Sequence, residues 1–184
     1  LYYGGSHGSG FWHDTPDDVM PKTDNPEWWV NRNNQRIGLA VAHDLNGPWQ
    51  RFDQPLVDIS EGRRMTATPV VSRRPDGRFL MAYKYVTEAE GHWGGKVVHV
   101  TALSDSPTGP FVDTGEPFIT TDREDVKFAT DDHVQWYQDG RYYCIAKDTH
   151  NNFTDFPKGS MVLFTSDANG YSFWVYGGTA INIV

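Results

Sequence analysis

The chain has 184 residues, 38% of them hydrophobic and 14% aromatic, enough to bury one sizeable core and too many for a disordered segment. A formal net charge of −8 and a pI near 5.2 argue against nucleic acid as a partner, because that affinity rests on clustered Lys and Arg. The single cysteine, Cys144, excludes an internal disulfide, and no run of 18 apolar residues offers a membrane span.

Apolar residues come in short runs separated by 18 Gly and 11 Pro, with no long helical stripe, which is the pattern of an all-β protein. Tyr2-Tyr3 opens the series as a strand. The Gly-rich stretch Gly4 to Gly10 holds Ser6 and His7, but no Gly-Lys-Ser/Thr, and no Gly-x-Ser-x-Gly set after a strand and before a helix, supports a phosphate loop or nucleophile elbow. Ser6 and His7 are assigned to the loop leaving that strand, near a channel mouth. Residues 9–34, rich in Asp, Pro, Asn and Trp, are expected to form a long inserted loop at one rim.

The informative feature is a period of roughly sixty residues. His43-Asp44-Leu45-Asn46-Gly47-Pro48-Trp49 returns as Ser104-Asp105-Ser106-Pro107-Thr108-Gly109-Pro110-Phe111 and, more weakly, as Ser166-Asp167-Ala168-Asn169-Gly170, with Trp174 following. A second motif runs in phase with it: Asp76-Gly77-Arg78-Phe79-Leu80 returns as Asp139-Gly140-Arg141-Tyr142-Tyr143. Asp-Gly between apolar runs marks a tight hairpin, since Gly accepts the positive φ such turns need. One unit is therefore read as a strand at Thr68 to Ser72, the Asp76-Gly77 turn, a strand at Arg78 to Val86, a third at Val97 to Leu103 and a short fourth at Pro110 to Val112. Tyr142 to Ala146 reads as a buried strand in which Cys144 is inert. Phe173 to Tyr176 and Ile181 to Val184 read as further strand.

Four antiparallel strands per period predict β-propeller blades, with a β-sandwich as the competing fold. The chain is read as one domain over 1–184, with blade 1 at about 1–60 carrying the 9–34 insertion, blade 2 at 61–122 and blade 3 at 123–184. Tyr2-Tyr3 falls in the second strand of a blade, so the domain is expected to be incomplete at both ends. Were it complete, the open sheet faces would favour a homo-oligomer. A first residue of Leu and no visible leader leave a secreted or periplasmic location as the expectation.

Seven Trp and nine Tyr suit stacking on sugar rings. Trp12, Trp28, Trp29 and Trp93 lie in polar, loop-like surroundings and are candidates for it, whereas Trp49 and Trp174 are assigned to blade cores. Arg63 and Arg64 precede the inner strand of the second blade, where a guanidinium fork can bind hydroxyls or a carboxylate; solvated loop arginines fit equally well.

Ala129-Thr130-Asp131-Asp132-His133-Val134-Gln135-Trp136 followed by Asp-Gly-Arg-Tyr-Tyr resembles the opening strand of a blade in the five-bladed glycoside hydrolases of family 43. The Ser-Asp-Ser-Pro-Thr-Gly-Pro-Phe turn is similar to one common in families 43 and 117. The resemblance implies a five-bladed propeller, about three blades of it here, acting as a glycosidase on a plant or algal polysaccharide or its oligosaccharides, by inversion with an ionised and a protonated carboxyl. It places the pKa-tuning aspartate at Asp131, with Asp132 as the alternative, and the base and acid outside this chain. The corresponding position of the second blade is read as Thr68, facing the channel. A strand's alternation is expected to let only one of the two aspartates face the channel. His133 is a candidate to touch a sugar hydroxyl or help hold a metal, against a structural histidine. No cofactor is required and no zinc spacing is present; some relatives hold calcium near the axis, which this sequence does not demand. A non-catalytic carbohydrate-binding propeller is the alternative function.

Overall fold

The computed structural model describes residues 1–6, 24–166 and 173–181. Among them, eleven strands form three antiparallel sheets. The first joins β1 (Tyr2–Ser6), β2 (Gln35–Val41) and β3 (Gln50–Arg51). The second runs through β4 (Arg63–Arg73), β5 (Phe79–Thr87), β6 (Val97–Ser104) and β7 (Val112–Ile119). The third runs through β8 (Asp131–Gln138), β9 (Arg141–Asp148), β10 (Ser160–Ser166) and β11 (Phe173–Ile181). Each sheet is an up-and-down meander in chain order, which is the blade expected from the repeat.

The two Asp-Gly sequences make different turns. Asp139 and Gly140 both take positive φ, 48° and 84°, and close a two-residue hairpin between Gln138 and Arg141. At the earlier site only Gly77 is left-handed. There Gly77 N–H donates to Arg74 O at 3.0 Å, while Arg74 N–H donates to Arg78 O at 2.8 Å. The earlier loop is thus one residue longer, a turn closed by a left-handed glycine. Asp76 sits at its tip between Arg74 and Arg78.

Two strands outgrow their sequence reading. β4 begins at Arg63, five residues before Thr68, because Arg63, Thr66 and Ala67 find ladder partners on β5. β7 extends to Ile119 although it contains Gly115 and Pro117. Its ladder with β6 shifts register there, which is how a sheet absorbs such residues at an edge. The expected loop at 9–34 holds an α-helix, α1 (Pro26–Asn33). Pro26 supplies a first-turn φ and no surplus N–H, and Trp28 N–H bonds back to Asn25 O at 3.1 Å. Eight residues with three consecutive apolar positions give no 3.6-residue period to read.

Strand alternation builds the core. On β5, Leu80 and Ala82 face the third sheet, where they are buried with Tyr142, Cys144, Ala146, Val162 and Phe164. Met81 and Tyr83 point the other way and pack with Ile37 of the first sheet. The second sheet is therefore sandwiched face to face between the other two, and β4 lies against β1, β2 and β8. Cys144 is fully buried and burial pushes its thiol well above the usual range, which leaves it without a reactive thiolate. No helix among the described residues is long and apolar enough to cross a membrane.

Candidate active site at the inner ends of two sheets

The inner strands β4 and β8 carry the same kind of irregularity, within β4 and at the start of β8. In the third sheet Asp131 pairs with Lys147 and His133 with Ala146, leaving Asp132 as the extra residue of a bulge, with φ of 29°. In the second sheet Ala67 pairs with Lys84 and Val70 with Ala82, and Thr68 is left-handed at 50°. The ladder therefore matches Thr68 to Asp132 and Ala67 to Asp131. The sequence reading of Thr68 as the counterpart of Asp131 is therefore one residue off, and the longer 74–78 turn accounts for the difference. The Thr68 hydroxyl is buried with no hydrogen-bond partner, and a β-branched residue at such φ is strained.

The bulge also breaks the alternation expected for the two aspartates. Asp131 turns toward Lys84, which sits at an even position of β5 and so faces the third sheet. The ammonium hydrogen-bonds Asp131 Oδ1 and lies 3.7 Å from Asp132 Oδ1. Lys84 is 14% exposed in its side chain, Asp131 31% and Asp132 66%. Burial pushes the Asp131 carboxyl up, but the Lys84 hydrogen bond and charge outweigh it and hold the group below the ordinary aspartate value. Asp131 is accordingly an anion at neutral pH and is no proton donor there.

The chain entering β8 is held by a second carboxylate. Asp148 is fully buried and accepts from the backbone N–H groups of Asn152, Phe153 and Thr154 at 2.8, 2.9 and 3.1 Å. Asn152 Nδ2 then donates to Ala129 O at 2.7 Å, two residues before Asp131. The β9–β10 loop thus braces the approach to the site.

Bulging carries His133 inward instead of toward the channel. It is 9% exposed and its ring packs edge-on against His99 at 5.2 Å and Phe118 at 5.4 Å. Desolvation drives its pKa down to about 4, and that of the fully buried His99 well below the usual value. A ring in this position is a neutral piece of the interface between two sheets, which corrects the expectation of contact with sugar or metal.

The two arginines bind the protein itself. Arg63 Nη1 lies 2.7 Å from Asp113 Oδ2 and donates to Tyr83 Oη at 3.0 Å, with its guanidinium 3.8 Å over the Tyr85 ring. Arg64 donates to the carbonyls of Ala89, Gly91 and His92, bracing the β5–β6 loop. Trp93 in that loop meets Trp29 of α1 edge to face at 5.6 Å, while the Arg32 guanidinium stands 4.5 Å over its ring. Asn33 Nδ2 bonds His92 O at 2.9 Å. Helix α1 is therefore docked on the second sheet's loop through Trp29, Arg32 and Asn33, which meet Trp93 and His92. His7 and Trp12 lie outside the described residues.

Lys84 is the site residue that sequence reasoning missed. Its signal was a lone Lys within the apolar run Phe79 to Val86, matched 63 residues later by Lys147. Among the described residues no three His, Cys, Asp or Glu side chains converge as a metal site.

No protein-family model matches the chain, and no curated protein matches it. Solved structures do. A family 117 glycoside hydrolase from the marine bacterium Zobellia galactanivorans superposes with a TM-score of 0.61 at 18% identity, covering 96% of this chain and 51% of that one. An exo-β-1,3-galactanase from Phanerochaete chrysosporium gives 0.54 at 16% identity, over 80% of this chain and 32% of that one. A Bacillus subtilis levansucrase gives 0.55 at 11% identity, over 99% and 47%. The chain spans about half the length of the family 117 and levansucrase structures and a third of the galactanase. The fold is thus shared with propeller glycoside hydrolases.

Proposed function

We propose that this chain is the part of a glycoside hydrolase that carries one anionic carboxylate, Asp131, of an inverting active site. Its proton donor and its base stand on blades outside these 184 residues. The observation that carries the reading is a half-buried carboxylate at the start of an inner strand, held ionised by Lys84, in a fold shared with such enzymes. Inversion needs carboxyls kept in opposite protonation states. A fixed anion nearby raises the pKa of a neighbouring acid and so keeps that acid loaded. The substrate class proposed is a plant or algal polysaccharide or its oligosaccharides.

Non-catalytic carbohydrate binding is the second reading. It draws on the gathering of Trp28, Trp29 and Trp93 at the end of the second sheet where β4 begins. The test uses the full-length protein with neoagaro-oligosaccharides, arabinan and β-1,3-galactan, and follows the product anomer by proton NMR. The expected result is release of sugar with inverted configuration and a fall in kcat of about 100-fold or more in Asp131→Asn. Binding without release on the whole panel favours the second reading, and neither binding nor release overturns both.

A further inference from the structure

We infer that Lys84 is a positioning residue: reaching across from the second sheet, it selects Asp131 over Asp132 as the working anion of the site and sets the orientation of its carboxylate. The inference rests on the glycosidase reading only for what that anion does. The two aspartates are adjacent, and the sequence leaves them as alternatives. Lys84 separates them, since its ammonium is hydrogen-bonded to Asp131 and only within ion-pair distance of Asp132, at 3.7 Å. Asp132, two-thirds exposed on a left-handed bulge, is left to water.

The geometry follows from strand alternation and the bulge together. Lys84 shares the face of Leu80 and Ala82, which are buried against the third sheet, so its stem runs between the sheets and its head emerges only at their inner end. An ammonium so placed has little water, and leaving it without a counter-charge is costly. The bulge at Asp132 brings Asp131 to meet it. Adhesion alone gives no reason for the pair: the two sheets already share a cluster of ten buried apolar residues, and a buried ion pair adds little stability over apolar packing. What the pair supplies is a single orientation and a single charge state.

Direct observation of the side-chain carboxyl carbons by NMR titration tests this without any sugar. In the wild type, the Asp131 midpoint is expected below the ordinary value of about 3.9. Lys84→Met is expected to raise it by about one unit or more. Lys84→Arg, which keeps the charge, should hold Asp131 within about half a unit of wild type. A wild-type midpoint at or above the ordinary value overturns the inference, and that measurement stands even if Lys84→Met does not fold. So does a folded Lys84→Met in which Asp131 is unmoved. A protein inactive on every glycan but showing these shifts defeats the glycosidase reading and leaves the assignment of Lys84 in place. Activity without the shifts does the reverse.

Discussion

Acidification should weaken this fold in a window set by two buried histidines. His133 is held neutral with a pKa of about 4 against 6.5 for the free side chain, desolvation being the main cause and the nearby Lys84 charge adding to it, while a hydrogen bond with the Ala82 backbone and the charges of Asp132 and Asp131 oppose it. His99 behind it is shifted in the same direction, by burial, by His133 and by Lys84. Between pH 6.5 and 4 the unfolded chain binds protons at these rings and the folded chain does not, so stability falls as pH falls. For His133 alone the loss approaches about 3 kcal/mol by pH 4, a large share of a typical domain stability of about 5 to 15 kcal/mol. His99 adds to it. The depressed carboxyl of Asp131 contributes below that window, since its stabilisation is lost only as pH drops through its own low value. Urea midpoints followed by tryptophan fluorescence from pH 7 to 4.5 measure the effect. A His99→Phe, His133→Phe double variant removes both titrating rings and should flatten the acid slope. A wild type with constant midpoints from pH 6.5 to 4.5, or a double variant that keeps the full slope, refutes the reasoning.

Three further outcomes are expected. Thr68→Gly should stabilise by about 1 kcal/mol, because the native φ of 50° strains a β-branched residue and its hydroxyl is unpartnered; a lower thermal midpoint contradicts this. Gly94→Ala should destabilise by about 2 kcal/mol or more, since φ is +85° and an added Cβ would lie 2.9 Å from Thr87 O; an unchanged thermal midpoint contradicts that. Asp148→Ala should cost about 3 kcal/mol, as three backbone N–H groups lose their acceptor, and should open residues 149–159 to limited proteolysis. Cleavage no faster than in wild type would remove Asp148 from the brace that leads to Asp131.

Much of the blade was legible in the chain because its determinants are local. Asp-Gly and Gly-Pro turns recur in phase, and apolar alternation between them specifies strands whatever their partners. Those signals sufficed to locate the meander of β4 to β7, the start of β8 and Asp131 on it. They also misled where a local count stood in for a three-dimensional register. The two Asp-Gly turns differ by one residue, which moved Thr68 off its true counterpart.

Helix α1, the inward turn of His133 and the internal binding of Arg63 and Arg64 were invisible for a common reason. Each depends on surfaces that meet only when sheets stack. A bulge costs the ladder a regular pair and is kept where packing between sheets repays it, so no two-residue period in β8 announces it. Lys84 shows the same division: strand periodicity in the sequence puts it on the face of Leu80 and Ala82, but only the stacking of the second sheet on the third decides that this face ends at Asp131. The sequence by itself determined the strands, their turns and the aspartate pair. The tertiary structure decided which aspartate is bound, because an ion pair across two sheets is a property of their separation and not of either strand.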